Sequence, residues 1–339
     1  MTHHPRSLAL AAAIAALALP ALADSVNVYS SRHYDSDDAL YQEFTKETGI
    51  DVNRIEAKAD ELIARLEAEG KNSPADVFIT VDVGRMARAE QAGVLQPFSS
   101  DLIEARIPQH LRHPDNLWFG IAQRARIIFY ARDRVEHPPV TYEALTDPEW
   151  KGRICIRSSS NVYNQSLLAS LIEIHGEEAA KEWAAGIVAN MARPPQGGDT
   201  DQLRGLVSGE CDIAVANHYY FLRGFDGNVS GLSAGIENIG WVWPNQNGRG
   251  AHMNLTVAAQ TRSSPNPEAA TALLEFLTGD WAQQYFAGQT HEYPAVPGVG
   301  LDPGTARLGL FIPDSTTGTD AYSRNAARAQ TIFNEVGWD

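Results

Sequence analysis

Short strand-like runs alternate with amphipathic helix-like runs from residue 26 to residue 91, and that rhythm constrains the fold more than any other feature of the chain. Val26-Asn27-Val28-Tyr29 reads as a strand. Asp35-Ser36-Asp37-Asp38 then supplies an N-cap and first-turn acids for a helix with Leu40, Tyr41 and Phe44 on its buried face, closed by Gly49. Ile50 to Ile55 is a second strand, and Asp60 to Glu69 is a helix with Leu62, Ile63 and Leu66 inward, stopped by Gly70. Val77 to Val81 is a third strand, and a helix from about Gly84 to Gln91 follows it. Such alternation means βαβ units and a mostly parallel sheet.

The pattern resumes after an extended stretch. Ile121 to Tyr130 is β-rich, interrupted by Arg124 and Arg126. A strand around Cys155 leads to Ser158-Ser159-Ser160-Asn161, which caps a helix carrying Leu167, Leu168, Leu171 and Ile172. Trp183 to Ala192 and Thr200 to Ser208 read as helices, Cys211 to Val215 as a strand, and Met253 to Ala259 as another. Pro267 to Leu277, Trp281 to Phe286 and the tail after Asp320 are helical. Two α/β units joined by extended segments near 117–130 and 248–260 predict an α/β protein of two lobes around a cleft. That is the type II periplasmic binding protein fold, with two hinge-crossing strands. The expected division is 24–120 for the first part of the N-lobe, 121–248 for the C-lobe, 249–298 for the return to the N-lobe, and 299–339 for a C-terminal helical segment packing on the C-lobe.

Residues 1–23 stand apart from this organisation. Arg6, the apolar run Leu8 to Leu19, the break at Pro20 and the A-x-A site Ala21-Leu22-Ala23 form a signal peptide, so the expected compartment is the periplasm. The formal net charge is −15, and loss of Arg6 with that segment brings it near −16. An acidic surface disfavours nucleic acid and anionic membranes. Export favours a disulfide between the two cysteines, Cys155 and Cys211, closing a loop of 56 residues (211 minus 155).

The residues that carry chemistry follow the strand ends, where open α/β sheets bind ligands. Arg32-His33-Tyr34 follows the first strand, Tyr163 opens the helix after the Cys155 strand, and Tyr219-Tyr220 follows the Cys211 strand. Phenolate is a hard oxygen donor suited to a hard, highly charged cation. A bound cation also reverses the preference of a phenol, pKa near 10, for its neutral form. Three phenolates cancel the charge of a trivalent ion, and His33 adds a neutral nitrogen. Adjacent strand residues face opposite ways, so Tyr219 and Tyr220 both reach the cleft only if the chain turns there.

Several stretches together resemble one family. They are Val28-Tyr29-Ser30-Ser31-Arg32-His33-Tyr34, Lys58-Ala59-Asp60-Glu61-Leu62, Ser73-Pro74-Ala75-Asp76-Val77, Ser158 through Ser166, and Ala216-Asn217-His218-Tyr219-Tyr220. The chain resembles the ferric-iron-binding periplasmic proteins of ABC transporters, in particular the FutA and IdiA subgroup. The resemblance implies a monomeric, transferrin-like carrier that delivers iron to a membrane permease, with His33, Tyr34, Tyr163, Tyr219 and Tyr220 as ligands. The ion implied is Fe3+; a mixed His/Tyr shell leaves Fe2+ open. Some relatives add a synergistic anion, which Arg32 or Arg124 would orient; a structural ion-pair role for either is the alternative. His218 reads as a neighbour of the site or as packing.

Two rival readings stay open on the residues alone. One is a binding protein of the same architecture for a small anion, such as sulfate, phosphate or an organic anion, held by the helix N-terminus at Ser158-Ser159-Ser160. The other is a secreted iron-dependent enzyme. It lacks support, because the sequence contains no H-E-x-x-H.

Overall fold

The computed structural model describes residues 25–32, 36–314 and 316–339. The expected signal segment 1–23 and the expected ligands His33 and Tyr34 lie outside the described residues. The first half opens with β1 (Ser25–Ser30), α1 (Asp37–Thr48), β2 (Asp51–Glu56), α2 (Ala59–Glu69), β3 (Val77–Val81) and α3 (Val83–Gln91), with both β2 and β3 parallel to β1. Gly49 closes α1 in the left-handed conformation at φ 76, which only glycine adopts without steric cost. A short helix that the sequence pattern did not disclose, α4 (Asp101–Arg106), is capped by the Ser100 hydroxyl and precedes β4 (Phe119–Ala131).

The second half contains β5 (Ile154–Cys155), α5 (Val162–His175), α6 (Glu177–Asn190), α7 (Asp199–Ser208), β6 (Ile213–Asn217), α8 (His218–Asp226) and β7 (Ile239–Val242). The chain then re-enters the first half with β8 (Met253–Gln260), α9 (Pro267–Phe276), α10 (Asp280–Tyr285) and β9 (Tyr293–Pro294), and ends in α11 (Pro303–Leu308), α12 (Thr319–Arg324) and α13 (Ala326–Val336). α6 begins earlier than the expected Trp183, because its first turn is Glu177 and Glu178, exposed acids that favour a helix N-terminus but carry no apolar signal.

Among the described residues the strands form one sheet in the order β2-β1-β3-β8-β4-β6-β5, with β7 and β9 also paired to β4. β4 joins the halves. Its stretch from Phe119 to Ala125 pairs antiparallel with β8, and its stretch from Arg126 to Tyr130 pairs with β6. One core surrounds β1, β3, β8 and the start of β4. Two more lie on opposite faces of the second half, as strand alternation requires: Ile128 faces α5, α6 and α13, while Ile127 and Phe129 face α7 and α8. α12 lies against both α3 and α5 and so spans the two halves. No helix among the described residues is long and apolar enough to cross a membrane.

Cys155 and Cys211 are joined, with Cα atoms 5.8 Å apart. The bond fastens β5 to the segment entering β6, and it closes a loop whose chain-entropy contribution is roughly 4 kcal/mol. α7 crosses directly over it. A Cβ at Gly205 would stand 2.7 Å from the Cys211 sulfur and 3.0 Å from that of Cys155, so only glycine permits the approach.

Candidate metal centre

Three of the expected ligands gather at the N-termini of two helices in the second half. Asn161 caps α5 by accepting from the Tyr163 backbone N–H at 3.0 Å, which places Tyr163 in the first turn. β6 ends at Asn217, and the chain turns at once into α8. That helix answers the alternation problem: as consecutive residues of a first helical turn, Tyr219 and Tyr220 pack their rings against each other at a tilt of 34°, with centroids 4.4 Å apart. The Tyr219 hydroxyl lies 3.3 Å from the Tyr163 hydroxyl and 3.4 Å from the Asn217 side-chain nitrogen. Tyr219 is fully buried, whereas Tyr163 and Tyr220 are partly exposed. Tyr163 also lines a cavity of about 390 Å³ whose other walls, Ser31, Arg32, Lys58, Asp60 and Arg85 among them, come from the first half.

Guanidinium groups surround the phenols. Arg124 and Arg157 lie 5.6 and 5.5 Å from the centre of the Tyr163 ring. Arg223, one turn along α8, lies 5.0 Å from the Tyr219 ring and 5.4 Å from the Tyr220 ring. Arg32 and Arg124 take structural ion-pair roles. Arg32 pairs with Asp37 and Glu292, both at 2.9 Å, and Arg124 lies 3.6 Å from Glu292.

His218 is engaged elsewhere. Its Nε2 donates to the His291 carbonyl at 2.7 Å and its Nδ1 accepts from the Ala125 N–H at 3.2 Å, which selects one tautomer and occupies both nitrogens. Burial lowers its pKa to about 4, so the ring is neutral and ties α8 to the crossing strand.

Sequence reading missed the residue beneath the site. Arg126 is buried and donates to Asn164 on α5 at 2.7 Å, to Asp199 on α7 at 3.1 Å and to Asn217 at the end of β6 at 3.2 Å. One guanidinium thereby fixes the elements that carry Tyr163 and Tyr219. The available signal was an arginine two residues from another in an apolar strand, where the pleat puts both on one face.

Bacterial extracellular solute-binding proteins share a family pattern that residues 72–306 match. The chain belongs to this family. Among its relatives, iron uptake protein A1 of a Synechocystis strain is 48% identical over 320 residues, covering 94% of this chain and 89% of that protein. The Trichodesmium protein IdiA (FutA), solved in complex with iron and citrate, superposes with a TM-score of 0.89 at 48% identity, over 93% of this chain and all (100%) of that one. The ferric binding protein of Campylobacter jejuni gives a TM-score of 0.86 at 38% identity, over 93% and 100%. This solute-binding protein thus has the two-lobed fold expected from its strand and helix rhythm, and its relatives are carriers rather than enzymes.

Proposed function

We propose that this solute-binding protein captures ferric iron in the cleft between its halves and hands it to an ABC permease. The observation that carries the reading is the 3.3 Å approach of the Tyr163 and Tyr219 hydroxyls, with the Tyr220 ring packed against that of Tyr219. Two phenol oxygens at that separation fit two positions on one metal ion. Tyr163, Tyr219 and Tyr220 form the C-lobe part of the ligand set; His33 and Tyr34, next to the buried Arg32 at the exit of β1, complete it from the N-lobe. The names of the relatives, one an iron uptake protein and one solved with iron and citrate, support this choice of cargo.

In this reading, residues 24–120 and 249–298 move as the N-lobe and 121–248 as the C-lobe, with 299–339 carried on the C-lobe. Closure brings His33 and Tyr34 onto an ion already held by the tyrosines. Fe2+ matches phenolate less well than Fe3+, so reduction loosens the grip. Residues 1–23 direct the chain to the periplasm, where it works as a monomer.

The test is a visible-absorption titration of metal-free protein with Fe3+ and with Fe2+, repeated with citrate, carbonate and phosphate. A tyrosinate-to-Fe3+ charge-transfer band at one equivalent supports the reading. A silent titration, with tight binding of an anion alone, transfers the site to the anion carriers.

A further inference from the structure

Two carboxylates with no exposed surface lie beside the tyrosine cluster, and each is shared by two arginines. Asp199 takes Arg126 at 3.1 Å and Arg157 at 3.4 Å. Glu292 takes Arg32 at 2.9 Å and Arg124 at 3.6 Å. In each pair one arginine, Arg157 or Arg124, also lies over the Tyr163 ring. Glu292 is the more informative of the two, because its partners serve both sides of the cleft: Arg32 precedes His33 in the chain, and Arg124 sits on the crossing strand. The carboxylate is further held by the Thr256 hydroxyl on β8, which donates at 3.1 Å. Burial opposes its charge, yet Arg32 and Arg124 outweigh burial and hold the carboxyl below its ordinary pKa.

We propose that Glu292 is a positioning residue for the metal centre: it seats Arg124 against the Tyr163 ring and offsets its charge, and so sets how strongly that phenolate donates to bound Fe3+. The inference rests on the ferric reading above. Its physical content is electrostatic. A buried charge acts at short range through a weakly screening medium, so removing the Glu292 charge leaves more of the Arg124 charge acting on Tyr163. A phenolate under a stronger positive field gives up its electron to Fe3+ less readily, and the charge-transfer band moves to higher energy.

The experiment records the visible band of the full chain loaded with Fe3+ as wild type, Glu292→Gln, Glu292→Asp and Arg124→Gln, with a thermal melt of each. Glu292→Gln is expected to move the band to shorter wavelength, Arg124→Gln to longer wavelength, and Glu292→Asp to restore it toward the wild-type position. A structural role alone would lower the melting temperature and leave the band in place. Should Glu292→Gln fail to fold, Arg124→Gln decides, since the inference requires its shift to longer wavelength. A wild-type band that neither substitution moves overturns this inference alone. A wild type with no band overturns the ferric reading and this inference with it.

Discussion

Tyr163 and Tyr219 come from helices that start on different strands, 56 residues apart in the chain, yet their hydroxyl oxygens stand 3.3 Å from each other. Replacing either with phenylalanine keeps the ring and its arginine neighbours and removes one donor atom. We expect Tyr163→Phe, Tyr219→Phe and Tyr220→Phe each to weaken ferric binding at least about tenfold, ~1.4 kcal/mol, with the thermal melt little changed. Titration against a competing chelator measures it, and full affinity in all three would exclude these phenols as ligands.

Arg126 should matter more for the fold than for the metal. Arg126→Met takes the donor from Asn164, Asp199 and Asn217 at once and leaves the buried Asp199 with Arg157 as its remaining charge partner. Breaking a buried pair on one side costs roughly 3–5 kcal/mol. Urea unfolding at pH 7 should show a loss of about 3 kcal/mol, at the low end because Arg157 stays.

Gly205→Ala drives a methyl group toward both sulfurs of the disulfide. Overpacking of this kind costs about 1–3 kcal/mol. The loss should shrink in a Cys155→Ala/Cys211→Ala background, because the two changes share one contact and are coupled. Equal losses in both backgrounds would show that the strain lies elsewhere in α7.

His252 gives the chain an acid-sensitive point where β8 begins. The ring is buried against Tyr322, and burial together with Arg249 and Arg126 lowers its pKa from 6.5 to about 3. A lowered histidine favours the neutral form in the fold, so its contribution is fully present above 6.5 and is lost as pH falls toward 3. By pH 4 the loss amounts to about 3 kcal/mol, at about 1.4 kcal/mol for each pH unit below 6.5. His252→Phe should remove that part of the acid dependence, read as a smaller stability difference between pH 7 and pH 4 than in the wild type.

Much of the fold was readable because local signals and tertiary packing agree. β3 was found to the residue, since the β-branched and aromatic run Val77 to Val81 behind Pro74 and Asp76 is buried along its whole length. α2 was legible from the spacing of Leu62, Ile63 and Leu66, and the disulfide from cysteine count and export. The helical start of α8 was not: Asn217 stands at its N-cap without making a side-chain capping bond, and His218-Tyr219-Tyr220 continues an apolar strand with no change of pattern. Of the site, the tyrosines stood out by chemistry and position. Arg126 and Glu292 did not, since their partners lie far along the chain, Arg32 being 260 residues from Glu292, and no spacing rule spans such distances.

β8 lies between β3 and β4, so the middle of the first half's sheet is supplied by residues 253–260. A chain made from its N-terminus carries β3 with one bare edge through most of its synthesis. An unpaired apolar edge invites wrong partners, and pairings between distant segments close slowly. The N-terminal hundred residues are therefore no early folding unit: they reach their final form only when nearly the whole polypeptide has been delivered.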